Sequence, residues 1–266
     1  MGCNIHDTAI VDPTAELGVD VEIGPYSIVG ANSKIGDGCF LASHVVVDKN
    51  TTLGSANKIF QFASVGADPQ DLKFAGEKTE LIVGDGNSIR EFVTIHRGTA
   101  QGGGLTKIGN GNLFMATSHV AHDCMIGDNN IFANSVSLAG HVVVDNHATL
   151  GGLAGVHQFS RIGSYAFLGA GSMVRYNFPP YCLGQGDRCQ VRGINIIGLQ
   201  RAGFSSEEIS EIRKAYRAVF AVPGKMKEKV ADYLADKNLL PSVQVFFDFI
   251  NESDHLSSPA KSLSSK

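Results

Sequence analysis

The feature that most restricts this chain is a six-residue rhythm of apolar side chains. Stepping by six from Val11 gives Leu17, Ile23, Val29, Ile35, Leu41, Val47, Leu53, Ile59 and Val65. The same phase returns at Val83, Ile89 and Ile95. A second register opens at Ile108 and runs through Phe114, Val120, Ile126, Phe132, Leu138, Val144, Leu150, Val156, Ile162, Leu168 and Val174. Two companion columns travel with it. The residue two before the apolar one is usually small, as at Ser27, Cys39, Ala63, Ser118, Cys124 and Ala154, and the residue after it is often Gly. On a strand, positions i−2 and i face the same side. Each hexad therefore predicts a short strand that sends one large and one small side chain inward, followed by a turn that tolerates Gly. A period of six does not fit an α-helix. It fits short strands joined by bends and wound as a solenoid. These columns build a scaffold, so chemistry is expected where the pattern breaks or on outward edges.

The pattern breaks twice. Between Val65 and Val83 the polar, turn-rich stretch GADPQDLKFAGEKT reads as a loop near 66–82. The second break, TIHRGTAQGGGLTKIG, gives a loop near 96–107 and shifts the register by one residue. Its glycine run lacks the Lys-Ser/Thr ending of a phosphate loop. Loops leaving a rigid scaffold commonly carry function. The repeat thus occupies 1–189. From Gln190 it stops, and 190–252 reads as a C-terminal helical domain. There Ser205 and Glu208 form a capping box ahead of ISEIRKAYRAVF, Pro223-Gly224 closes that helix, a second helix runs to about Asn238 and a third begins near Pro241. The Ser/Lys-rich tail, 253–266, is expected to be disordered.

Composition narrows the partners. Five cysteines, an odd number without a CxxC pair, indicate a reducing compartment and hence the cytoplasm. The net charge of −4 does not point to nucleic acid. No stretch approaches the roughly 20 apolar residues of a membrane span, so no stable membrane insertion is expected. Segment 190–230, however, holds eight Lys/Arg against four Asp/Glu. A basic patch on an acidic chain suits an acidic partner.

His119, His122, His141 and His157 fall close together in the chain. With residues 18 apart stacking, His122, Gly140 and Gln158 line one edge on successive coils, about 4.8 Å apart. Asp123 lies beneath His141 in the next column. A hydroxyl needs a base to act as a nucleophile near neutrality, and His is the side chain best tuned for that. Asp123 is placed to fix the His122 tautomer or to favour its protonated form. The Gly140 N–H has no side chain in the way of an approaching oxyanion. Two other readings stay open on these residues: a zinc site, and a non-catalytic trimeric scaffold.

The motifs QDLKFAGE (70–77), VTIHRGTAQGGGLTKIG (93–109), HVAHDC (119–124), LAGHV (138–142), GVHQF (155–159) and GINIIGLQRAGF (193–204) resemble the UDP-N-acetylglucosamine 3-O-acyltransferase family. The resemblance covers about residues 5–250. It implies a left-handed parallel β-helix, a triangular prism of three hexads per coil, with a small C-terminal helical domain. It implies a cytoplasmic homotrimer with active sites between subunits. The implied reaction moves a 3-hydroxyacyl chain from acyl carrier protein to the glucosamine 3-hydroxyl of UDP-N-acetylglucosamine, the first step of lipid A synthesis, with no cofactor and no metal. The zinc enzymes of this fold carry two of their histidines with four residues between them, whereas His119 and His122 have two between them. By the same resemblance His122 is the general base, Asp123 its orienting partner and Gly140 the oxyanion donor. Gln70, Asp71 and Lys73 belong to a sugar-contacting loop of the neighbouring subunit. His119, His141, His157 and Gln158 match substrate-contacting positions, and Asn195 and Arg201 match nucleotide-binding ones. Ala170 matches the acyl-length determinant, and Arg213, Lys214 and Arg217 would face the carrier protein. Ile197 and Ala202 depart from the family pattern beside the nucleotide positions.

Overall fold

The computed structural model describes residues 2–221, 226–234 and 239–259. Its repeats form a left-handed parallel β-helix whose strands lie in three sheets, of 11, 9 and 8 strands. Face one contains Phe40–Leu41, face two Val46–Val47 and face three Thr51–Leu53, after which the chain returns to face one. Most strands are two residues long, with the second residue buried. Both predicted inward columns form the core: Val29, Leu41, Ile59, Val120 and Leu138 are at most 1% exposed, as are Ser27, Cys39 and Ala63. Burying one such aliphatic side chain contributes about 1.5–3 kcal/mol, and stacking coil on coil repeats that gain along the prism.

Ordinary coils contain 18 residues, so Val29 pairs with Val11 and Val47. At the first interruption the stacked positions lie 30 residues apart, and at the second 25. Twelve inserted residues are two whole hexads, which keeps the phase. Seven are one hexad plus one, which shifts it. The strands Ser64–Ala67 and Glu80–Val83 bracket the first insertion, and Thr94–His96 and Leu105–Ile108 bracket the second. Both leave the same edge, between faces two and three. A short 3-10 turn, Ala100–Gly102, shapes the second loop.

The glycine column has a different cause from the turn tolerance the sequence suggests. The corner residue in the left-handed region comes two positions later, and it is mostly not Gly: Asn32, Asn50, Asp123, His141 and Phe159 have φ of 50–60° or just above. Such a conformation costs about 1–2 kcal/mol for an L-residue. Ring stacking on the next coil offsets part of it, with centroids 4.5 Å apart for His141–Phe159 and 4.7 Å for His147–Tyr165. The Gly column marks close contact between coils. A Cβ on Gly36 would stand 2.5 Å from the Gly54 carbonyl carbon, and one on Gly30 2.6 Å from the Lys49 nitrogen.

The segment read as a helical domain opens instead with a strand. Gln190–Ile194 pairs antiparallel with Cys182–Gln185, extending face one, because its backbone completes the open end of that sheet. Helices follow at Ile196–Arg201 (α1), Ser206–Phe220 (α2), Met226–Leu234 (α3) and Pro241–Glu252 (α4). The capping box at Ser205 and Glu208 is present. The stop at Pro223-Gly224 and the helix end near Asn238 lie outside the described residues.

The expectation of a disordered tail does not hold for 253–259. Leu256 bridges Asn177, Pro259 bridges Val191, and Ser257 is 2% exposed. Backbone bonds to the last coil and the hairpin outweigh the polar composition of this segment. The remainder, 260–266, lies outside the described residues.

Candidate active site

The corner after His119–Val120 turns from face two to face three, and it carries His122 and Asp123. Asp123 occupies the left-handed position at φ 59° and is 4% exposed. His122 Nδ1 lies 2.7 Å from Asp123 Oδ2. A carboxylate only accepts, so Nδ1 carries the proton, and in the neutral ring Nε2 is the nitrogen with the lone pair. One coil on, Gly140 stacks against this ring: a Cβ there would stand 2.6 Å from His122 Cε1 and 2.8 Å from Nε2. His141 Nε2 is 3.6 Å from Asp123 Oδ2, and the His122 and His141 rings meet edge to face at 5.3 Å. A third coil brings His157 and Gln158 to the same edge, both exposed.

The second insertion wraps the Asp123 carboxylate. The Thr99 N–H donates to Oδ1 at 2.8 Å and the Thr99 hydroxyl to Oδ2 at 2.7 Å. Thr106, from the strand one coil below, accepts the Asp123 N–H at 2.8 Å. Gly102 closes over the group: a Cβ there would fall 2.0 Å from the carboxylate carbon. Thr99, Gly102 and Thr106 are absent from the sequence-derived set. Thr106 had a signal, a hydroxyl in the small inward column. Thr99 and Gly102 sit in an aperiodic insertion whose path no repeat predicts.

On the same coil as His122, the strand before the corner carries His119, whose Nδ1 is 2.7 Å from Oγ1 of Thr94 on the coil below. Its ring meets His96 at 4.9 Å. His96 also escapes the sequence-derived cluster, being 25 residues rather than 18 below its stacking neighbour. It is buried, and its Nδ1 has no hydrogen-bond partner among the described residues. Burial first, then the nearby His119, His122 and Arg97 charges, push the His96 pKa down to about 4. Burial and His122 likewise lower that of His119.

His122, Asp123 and His141 bring three potential metal ligands within 4.8 Å of one another. Both Asp123 oxygens already accept protein hydrogen bonds, the pattern of an orienting carboxylate.

The remaining predicted residues are not gathered here within one chain. Gln70, Asp71 and Lys73 lie on the loop that leaves the His122 edge two coils earlier. There Asp71 Oδ1 accepts the Lys73 N–H at 2.9 Å. Ala170 is exposed on the edge between faces one and two. Asn195 lies beside the third edge, with its side chain committed: it accepts the Gly198 N–H at 3.1 Å as the cap of α1 and donates to the Tyr165 carbonyl at 3.0 Å. Arg201 ends α1 and is exposed, as are Arg213, Lys214 and Arg217 on α2. Lys214 pairs with Glu211 at 2.6 Å.

A left-handed hexapeptide prism with a His–carboxylate pair on one edge and a glycine stacked over the imidazole defines a hexapeptide-repeat acyltransferase. Two families' profiles match the chain: "Bacterial transferase hexapeptide (six repeats)" at residues 14–49 and 105–140, and "Udp N-acetylglucosamine O-acyltransferase; Domain 2" at residues 178–257. The acyl-(acyl-carrier-protein)–UDP-N-acetylglucosamine O-acyltransferase of Myxococcus xanthus is 50% identical over 249 residues, which is 94% of this chain and 96% of the relative. Among solved structures, the UDP-N-acetylglucosamine O-acyltransferase of Moraxella catarrhalis superposes with a TM-score of 0.92 at 44% identity, covering 95% of this chain and 98% of that one. The UDP-N-acetylglucosamine acyltransferase of Campylobacter jejuni gives 0.92 at 33% identity, covering 97% and 100%. The chain belongs to the UDP-N-acetylglucosamine O-acyltransferase family.

Proposed function

We propose that this protein transfers an acyl chain from acyl carrier protein to UDP-N-acetylglucosamine in lipid A biosynthesis, with His122 as the general base. The observation that carries the reading is the His122–Asp123 contact at 2.7 Å, with Gly140 stacked over the free Nε2. Nε2 accepts the proton of the sugar 3-hydroxyl as that oxygen attacks the thioester carbonyl carbon of the 3-hydroxyacyl donor. Asp123 holds the ring in the tautomer that leaves Nε2 basic and stabilises the imidazolium that forms. The Gly140 N–H faces the carbonyl oxygen as it gains charge. The attack forms the C–O bond; collapse of the tetrahedral intermediate restores the carbonyl, breaks the C–S bond and passes the proton from Nε2 to the departing thiolate. No cofactor is required for these steps.

Gln70, Asp71 and Lys73 hold the sugar, His119, His141, His157 and Gln158 line the substrate path, and Asn195 and Arg201 take the nucleotide. Asn195 acts by holding α1 in place, since its side chain and its backbone are both committed. Ala170 limits acyl length, and the exposed α2 cations Arg213, Lys214 and Arg217 receive the acidic carrier protein. These groups lie on three edges of one prism, and a homotrimer with sites between subunits unites them. Among the described residues no helix is long and apolar enough to cross a membrane. All five cysteines are unpaired, which supports a cytoplasmic location.

The test is His122→Ala assayed with UDP-N-acetylglucosamine and a 3-hydroxyacyl carrier protein. A kcat loss of about 10²–10⁴-fold is expected, with the melting temperature preserved. Retained turnover would remove His122 from the chemistry.

A further inference from the structure

One buried charge has no part in the steps above. Arg97 is 1% exposed and lies between His96 and the Gly98–Thr99 step that reaches Asp123. Its guanidinium points the other way, into the root of the first insertion. Nη1 donates to the Gly66 carbonyl and Nη2 to Asp68 Oδ1. Nη1 also lies 3.5 Å from Asp48 Oδ2. The Arg97 N–H adds a bond to the Ala67 carbonyl at 3.0 Å. Three consecutive residues at the loop exit are therefore held by one side chain and its own backbone. The planar fork of a guanidinium fixes the direction of each acceptor, which a lysine does not.

The exit itself is a bulge with a fixed shape. Gly66 adopts φ +87°, and a Cβ there would stand 1.9 Å from Thr51 Oγ1. Beyond Asp68 the loop's own bonds are local. The Lys73 N–H reaches Asp71 Oδ1, the Phe74 N–H reaches the Asp71 carbonyl, and the Ala75 N–H reaches Glu77. Leu72 and Lys73 project into solvent. The direction in which Gln70, Asp71 and Lys73 leave the prism is thus set at the root.

We propose that Arg97 is a positioning residue for the acceptor sugar. Through Gly66 and Asp68 it aims the 70–73 segment. Two residues later the same stretch of backbone aims Asp123 at His122. The inference rests on the reading that Asp71 and Lys73 contact the sugar. Loosening the clamp lets the loop sample orientations that do not engage substrate, which weakens sugar binding and leaves the His122–Asp123 pair intact.

Asp68→Asn is the variant of choice, because the Asp68 side chain is 55% exposed and the change spares the buried guanidinium from removal. The KM for UDP-N-acetylglucosamine should rise about tenfold, with kcat within about twofold of wild type. The KM for the acyl carrier protein and the melting temperature should stay put, and Asp68→Glu should recover most of the loss. An unchanged sugar KM overturns the proposal. So does an equal rise in both KM values, or a fall in melting temperature with no kinetic change, since each marks a purely structural ion pair. Failure of the underlying reading looks different: Lys73→Ala would leave the sugar KM unaltered, whatever Asp68→Asn does.

Discussion

At the scale of single residues, Asp123 is the group whose surroundings are most fully specified. It is buried, it touches His122, and two of its three side-chain hydrogen bonds come from Thr99. Thr99→Val removes the hydroxyl donor and keeps the shape. A buried carboxylate left short of one donor costs about 1–3 kcal/mol. The expected result is a kcat decrease of about tenfold or more with a modest fall in melting temperature, read from steady-state kinetics and thermal denaturation. A stability loss without a kcat loss would separate Asp123 orientation from turnover. His96 gives the pH prediction. Its folded pKa, about 4, is below the unfolded value of 6.5. Between those values the unfolded chain binds more protons, so stability rises with pH across the window. The contribution is complete above about pH 6.5 and lost as pH falls toward 4, amounting to about 3 kcal/mol. Urea melts of wild type and His96→Asn at pH 7 and pH 4.5 should diverge in slope, the variant being the flatter; parallel curves would reject the assignment. Much of this site was readable in the sequence. His122, Gly140 and Gln158 follow from the 18-residue stacking alone. Thr99, Gly102 and His96 were not readable, because each reaches the site from a coil lengthened by an insertion, where linear spacing no longer reports height along the prism.

At the scale of the coil, the sequence disclosed the strands and misassigned the turn. The apolar and small columns mapped directly onto buried positions. The sequence reads the Gly column as backbone freedom, whereas the structure shows it marks the packing of one corner on the next. The two causes predict opposite responses at neighbouring residues. Gly36→Ala inserts a methyl 2.5 Å from the Gly54 backbone, and neither side is a flexible side chain. The coils must separate, at a cost of about 3 kcal/mol. Gly38 has φ +64° and open space around its Cβ position. Asn tolerates that conformation better than most residues, and it already fills the equivalent corner positions at Asn32 and Asn50. Gly38→Asn should therefore leave the melting temperature nearly unchanged, and Gly36→Ala should lower it by several degrees. Equal effects at the two positions would contradict the packing account. The C-terminal segment shows the reverse failure of composition. Ser253 and Ser257 are polar and buried, because Ser257 donates its N–H to the Asn177 carbonyl and Ser253 bonds to the end of α4 while accepting from the Asn177 amide.

At the scale of the whole molecule, the candidate groups are divided by the prism's own geometry. His122 and the loop carrying Lys73 share one edge, Ala170 stands on another, and Asn195 with α1 stands beside the third. Edges of one rigid prism cannot close on each other, so a substrate touching all these groups must lie between prisms. The loop on the His122 edge leaves two coils below it, pointing outward with Leu72 fully exposed. It is therefore free to serve a neighbour. This yields a test independent of any single residue's role. His122→Ala and Lys73→Ala proteins, each expected to be severely impaired alone at low sugar concentration, are unfolded together, refolded so that subunits of the proposed trimer mix, and assayed. If each site takes His122 from one subunit and Lys73 from the next, random assembly leaves about a quarter of sites with both residues intact. Activity should return toward that fraction of the wild-type value. If one chain supplied both residues, every site in every mixture would lack one of them, and no activity would return. Size-exclusion chromatography of each parent, showing trimers in both cases, keeps a failure of assembly from being read as a failure of sharing.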